Sequence, residues 1–223
     1  MRFGYWTALL AVVFLLAGCS KPKEYEKKAL LREQLIGKWN AEDGWVEFTK
    51  GGLVGRMDRG SGWAASYNLV DGTRLEITEP GKEGEAVVWN ADVSGDKLKL
   101  VLDSGTIEEF TRETPPAAPE DAKLVGLWGS TSVGEGRENL MEFTDHGTFV
   151  SFRWISSAET GDKYKVGETG SYKAIGGKLT LMGARKREFT KELEYKIDGS
   201  VLEVLGMWKD KDGNPTSRSY HRR

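Results

Sequence analysis

From Gly37 onward the chain alternates apolar and polar positions with a period of two. Val46-Glu47-Phe48-Thr49, Arg74-Leu75-Glu76-Ile77 and Lys97-Leu98-Lys99-Leu100-Val101-Leu102 each set every second side chain on one face. Alternation of this kind turns one face to a core and the other to water, as in a half-buried strand. Turn signals interrupt the runs every 8 to 12 residues: Gly51-Gly52, Asp71-Gly72, Gly95-Asp96, Ser104-Gly105, Gly176-Gly177 and Asp198-Gly199. Asp-Gly and Gly-Gly supply the backbone freedom that tight hairpins need. A content of 28 Gly and 8 Trp against 6 Pro fits many turns between large apolar anchors. The prediction is an all-β protein of short antiparallel strands joined in sequence, as in a sandwich or an up-and-down barrel.

The pattern occurs twice. Leu35-Ile36-Gly37-Lys38-Trp39 returns as Leu124-Val125-Gly126-Leu127-Trp128. Glu47-Phe48-Thr49 before Gly51 returns as Glu142-Phe143-Thr144 before Gly147, and Ser66-Tyr67 returns as Ser171-Tyr172. Arg74-Leu75-Glu76-Ile77 matches Lys178-Leu179-Thr180-Leu181, and Phe110-Thr111-Arg112 matches Tyr220-His221-Arg222. The offset grows from 89 at the first tryptophan to 110 at the last arginine, which places insertions in the second copy. Blocks repeated in one order indicate tandem duplication. Thr114-Pro115-Pro116-Ala117-Ala118-Pro119 lies between the copies and reads as an extended linker. The expected units are therefore 35–113 and 120–223, joined by 114–119, each with roughly eight strands.

Gly-x-Trp at the start and aromatic-x-Arg at the end of each copy resemble the lipocalin-like (calycin) barrels, across nearly all of 35–223. The resemblance implies two tandem small antiparallel up-and-down β-barrels. It also implies that a tryptophan of the first strand plugs the closed end beneath an arginine of the last. The structural plug residues would be Trp39 with Arg112, and Trp128 with Arg222. A guanidinium over an indole gains cation–π attraction while it shields the ring from water. The first copy runs only 76 residues from Gly37 to Arg112, so its barrel should be shallow and filled. The longer second copy has more room.

Ahead of the repeats, Met1-Arg2 precedes an apolar stretch from Trp6 to Ala17 that is too short for a membrane span of roughly 20 residues. It ends in Leu16-Ala17-Gly18-Cys19, and Cys19 is the only cysteine. This ending resembles the lipobox of bacterial lipoproteins. The resemblance implies a signal peptide over 1–18, cleavage before Cys19, acylation (palmitate included) of Cys19, and anchorage in a membrane of the cell envelope. Ser20, rather than aspartate, follows the cysteine, which by the same resemblance favours the periplasmic face of the outer membrane. Residues 19–34 are highly charged and suit a helical tether, with Tyr25, Ala29 and Leu35 on one stripe.

Loss of residues 1–18 removes Arg2 alone, leaving 31 basic against 34 acidic side chains. That balance argues against nucleic acid as a partner. No catalytic residue, metal set or cofactor motif stands out. His146, in Thr144-Asp145-His146-Gly147, reads as a solvated turn residue, and His221 as an outward strand residue. Asp210-Lys211-Asp212-Gly213-Asn214 lacks the downstream glutamate of a calcium loop. Glu108 and Glu109 point to opposite sides of a strand, and the runs at 163–165 and 185–187 read as solvated faces. Trp45, Trp63, Trp89, Trp154 and Trp208 read first as core and second as contacts at a barrel mouth. The functional expectation is a non-enzymatic envelope lipoprotein, a binding or accessory module that engages an apolar ligand or an envelope protein. The alternative expectation is a carrier with a small apolar ligand inside the second barrel.

Overall fold

The computed structural model describes residues 23–82, 84–114, 121–131, 138–156, 163–184, 188–209 and 212–223. Cys19 and its signal segment, linker residues 115–119 and the basic run 185–187 lie outside these residues, as does the side chain of Trp208. Among the described residues the chain is all-β, with one helix and two closed antiparallel barrels of eight strands each. The helix is α1 (Glu24–Leu35). The first barrel runs β1 (Gly37–Ala41), β2 (Gly44–Phe48), β3 (Leu53–Asp58), β4 (Ser61–Leu69), β5 (Arg74–Thr78), β6 (Val87–Ser94), β7 (Lys97–Val101) and β8 (Ile107–Arg112). The second runs β9 (Gly126–Thr131), β10 (Glu138–Phe143), β11 (Thr148–Ser156), β12 (Lys163–Ile175), β13 (Lys178–Ala184), β14 (Glu188–Asp198), β15 (Val201–Lys209) and β16 (Pro215–Arg222).

Every strand pairs with its sequence neighbour, and each barrel closes when its first strand meets its last. Trp39 pairs with Arg112 across β1 and β8, and Trp128 with Arg222 across β9 and β16. The inward positions fill each interior: Trp39, Phe48, Tyr67, Leu75 and Leu98 in the first core, Trp128, Phe143, Tyr172, Leu179 and Leu202 in the second.

A third apolar cluster lies between the barrels. Leu53 and Ala64 on β3 and β4 meet Val150 and Phe152 on β11, with Leu127 and Leu140 beside them. At this seam the backbones come close: a Cβ on Gly167 of β12 would sit 2.6 Å from the carbonyl oxygen of Ala64. The outward faces of β2 to β4 and β10 to β12, which alternation assigns to water, are thus covered by the other barrel.

The tether is helical, and its last two turns belong to the first barrel. Leu31 and Leu35 are buried in that core, four residues apart on one face, whereas Tyr25 is 80% exposed. The expected stripe through Tyr25, Ala29 and Leu35 is therefore wrong. In the second copy the short turn Asp121–Leu124 takes the helix's place, with Leu124 fully buried and Tyr195 Oη bonding Asp121 Oδ2 at 2.7 Å.

Candidate functional site

The closed ends of the barrels are built alike, bond for bond. Trp39 Nε1 donates to Leu35 O at 2.8 Å, and Trp128 Nε1 donates to Leu124 O at 2.8 Å. Arg112 Cζ lies 3.9 Å from the Trp39 ring centre, and Arg222 Cζ lies 4.4 Å from that of Trp128. Arg112 Nη1 donates to Ile36 O and Arg222 Nη1 to Val125 O, both at 3.0 Å. The glycine of each Gly-x-Trp is required by two constraints. Gly37 has φ +123° and Gly126 φ +134°, where side chains are strained, and an added Cβ would lie 3.2 Å from Arg112 Nη1 or 2.9 Å from Arg222 Nη1. Behind each tryptophan, Tyr67 Oη bonds Thr49 O and Tyr172 Oη bonds Thr144 O, both at 2.9 Å. The structure therefore pairs Trp39 with Arg112 in the first barrel and Trp128 with Arg222 in the second.

Both closed ends face one cleft. It has a volume of about 660 Å³, with Ile36 on one side and Val125 and Leu127 on the other as its apolar walls, and with Lys50, Arg112, Glu113 and Arg223 among its charged lining. The walls are copies of each other, since Ile36 corresponds to Val125, Phe48 to Phe143 and Glu47 to Glu142. The cleft is thus a pseudo-two-fold site at a domain interface, a common location for ligand pockets.

Its polar end consists of two outward carboxylates and a histidine. Glu47 on β2 is 1% exposed and Glu142 on β10 is 5% exposed. Each reaches the turn of the opposite barrel. Gly51 N donates to Glu142 Oε1 at 3.1 Å. At the position equivalent to Gly51 stands His146, whose Nδ1 lies 3.3 Å from Glu47 Oε1 and 3.1 Å from Asp145 Oδ1. Neither approach is aligned as a hydrogen bond. Thr148 Oγ1 donates to Glu47 Oε2, while Glu142 Oε2 is buried without a partner. Burial raises the Glu142 carboxyl above its ordinary range, against the Thr49 hydroxyl and the Gly51 amide, with the charge of Glu47 adding to the rise and that of Lys50 opposing it. His146 is raised above the usual histidine range, chiefly by Glu47, against burial.

The reading of His146 as a solvated turn residue is thus corrected. Its side chain is 7% exposed, because the partner barrel covers the hairpin tip. One sequence signal marks the seam: Phe149-Val150-Ser151-Phe152 puts apolar residues on both parities of one strand.

The remaining candidates are scattered. His221 and Glu109 are exposed, and Glu108 is clamped by Arg56 with bonds of 2.7 and 2.8 Å. Trp63 stacks on Trp89 at 5.7 Å and donates to Glu79, and Lys38 lies 5.4 Å from the Trp45 ring. The Trp154 amide donates to Asn139 Oδ1. A cavity inside the second barrel, near Met141, Arg153, Glu168 and Lys191, holds only about 10 Å³, space for a single water. Among the described residues, no three His, Cys, Asp or Glu side chains are grouped to hold a metal ion, and no helix is long and apolar enough to cross a membrane. No family model matches the chain, and no curated protein matches it.

Proposed function

We propose that the protein is a non-enzymatic, lipid-anchored binding module of the bacterial envelope, which holds a small apolar ligand in the cleft between its two barrels. The cleft itself carries this reading. Its 660 Å³ lies within the usual range for small-molecule sites, and the surface it presents is mostly apolar although charged side chains such as Lys50, Arg112 and His146 line it as well. The second-barrel cavity of about 10 Å³ gives no comparable support to a carrier in the lipocalin manner.

The lipobox-like Leu16-Ala17-Gly18-Cys19 places the anchor five residues ahead of α1. α1 runs into the closed end of the first barrel, so an acylated Cys19 would set the cleft side of the molecule toward the membrane. The barrel mouths would then face the periplasm. Acylation supplies a hold that one reversible chain does not, provided two acyl groups are present.

The test is uptake of the neutral dye N-phenylnaphthylamine by the full chain, read by fluorescence. Filling the cleft with Ile36→Trp and Val125→Trp should abolish uptake, while Val88→Trp at an exposed position of β6 should leave it unchanged. Uptake that survives the filled cleft sinks the reading. Cys19→Ala should leave an uncut precursor without lipid; a processed, detergent-extracted form of that variant sinks the anchor.

A further inference from the structure

The polar end of the seam joins the barrels through groups that titrate. Three elements face Glu142: β2 with Glu47, the turn after it with Thr49, Gly51 and Lys50, and β4 with Tyr67, while Arg32 of α1 lies near Tyr67 and donates to Lys50 O at 3.2 Å. His146 faces Glu47 of β2, Asp145 of its own turn, Glu113 after β8, and Arg112 of β8, which it approaches around Gly37. The two contacts are copies of one design. In each, an outward glutamate of one barrel meets the β-turn of the other, through a backbone amide at Gly51 and an imidazole at His146.

We propose that this seam is an acid-tightened joint, and that the cleft it closes binds its ligand more strongly at acidic than at alkaline pH. The ligand half rests on the binding reading above; the joint half does not. Glu142 has one oxygen bonded to Gly51 and the other buried with no partner, so its neutral form suits the closed seam and its carboxylate is penalised there. His146 sits between carboxylates, so its charged form suits the closed seam. Both groups therefore bind protons more tightly when the barrels are joined. A state that binds extra protons loses stability as pH rises. For Glu142 the loss begins above the exposed value of 4.5, and for His146 above 6.5. The two steps have the same sign and run in succession. A ligand that touches both walls binds only the joined state, so it must in return raise the titration of His146.

Amide exchange on the full chain in detergent micelles, corrected for intrinsic base catalysis, tests the joint. Between about pH 5 and pH 8 the Gly51 amide should lose protection, while Leu100 on β7 and Val204 on β15 keep theirs. Glu142→Gln should flatten the lower part of that loss and His146→Gln the upper part. Constant protection of Gly51 overturns the proposal, and so does an unchanged slope in the Glu142→Gln/His146→Gln double variant. Ring NMR of the unaltered protein decides independently of whether the variants fold: His146 should titrate above about 6.5, and a value at or below it overturns the joint. N-phenylnaphthylamine does not titrate in this range. Its uptake should fall as pH rises, and saturating dye should shift the His146 titration upward. Uptake that is level across pH, beside a pH-dependent Gly51 amide, overturns the coupling alone. No uptake at any pH overturns the binding reading and the coupling, with the joint judged on exchange and on His146.

Discussion

The first and second barrels keep the same closed end and fill their mouths differently. At the closed end the indole, the guanidinium, the tyrosine and the hairpin it holds recur with matching bonds. One level higher, on the inward faces, Trp63 of the first barrel corresponds to Glu168 of the second, and Val87 to Lys191. Trp63 stacks on Trp89 and makes an apolar layer. Glu168 instead clamps Arg153 at 3.0 and 2.5 Å, with Lys191 nearby, its pKa lowered by burial and by the charge of Arg153. Closure of the barrel depends on the shared end, so duplication preserved it. The mouth layer only has to be satisfied, and either dispersion or paired charge does that.

The largest test compares the two tryptophans. Both are fully buried with the same Nε1 bond, so Trp39→Ala and Trp128→Ala should each cost about 3–5 kcal/mol. Urea unfolding of the full chain, with amide exchange in β7 and β15 to separate the barrels, would measure both. A large cost in one barrel and none in the other would break the equivalence of the closed ends.

The mouth layers come next. Glu168→Ala leaves Arg153 half-buried and unpaired, and should cost about 2–3 kcal/mol in the second barrel. Replacing the whole charged layer with Arg153→Met, Glu168→Leu and Lys191→Val should restore stability to within about 1 kcal/mol, or raise it. If the apolar layer proves as costly as the broken pair, the two mouths are not interchangeable solutions.

Much of this was legible in the sequence because it is local. The period of two, the Gly-containing turns and the repeated Gly-x-Trp each act within a hairpin or one strand pair, so tandem all-β copies are legible directly, and the choice of barrel over sandwich comes from the resemblance of the Gly-x-Trp and aromatic-x-Arg ends. Of the seam, only the apolar run 149–152 on both parities of β11 is a local signal. Glu47 and Glu142 follow the alternation, which assigns them to water, and their burial comes from the second barrel, which the pattern around them does not report. His146 was missed for the same reason. The α1 stripe differs from the expected one because helical spacing alone groups Tyr25 and Ala29 with Leu35, whereas the barrel end selects the face of Leu31 and Leu35.

A smaller effect tests whether the arginines serve the tryptophans. Arg222→Ala should cost about 1–2 kcal/mol through the stacked cation and its packed stem. In a double-mutant cycle with Trp128→Ala the losses should be non-additive, because the side chains touch. The same cycle on Arg112 and Trp39 should give coupling of the same sign. Additivity in both cycles would leave the conserved geometry without an energetic role.

The smallest effect concerns the equivalent hairpins after β4 and β12. Asp71 organises the first by accepting bonds from the Thr73 and Arg74 amides at 2.8 and 2.9 Å and from Arg74 Nε at 2.5 Å. The second turns on Gly176 and Gly177, both at positive φ, with no carboxylate at the corresponding place. Bonds from the Thr73 amide and from Arg74 hold the Asp71 carboxyl down at about 2. A group whose pKa falls on folding contributes above its unfolded value, here 3.8, and loses that contribution as pH falls through the folded value. On acidification from about pH 4 to pH 2 the Thr73 and Arg74 amides should therefore lose protection, while those of Gly177 and Lys178 show no matching step. Asp71→Asn should remove the step, since the amide oxygen accepts at every pH. Equal acid responses in the two turns would mean that the hairpin is held by its strands and not by its aspartate.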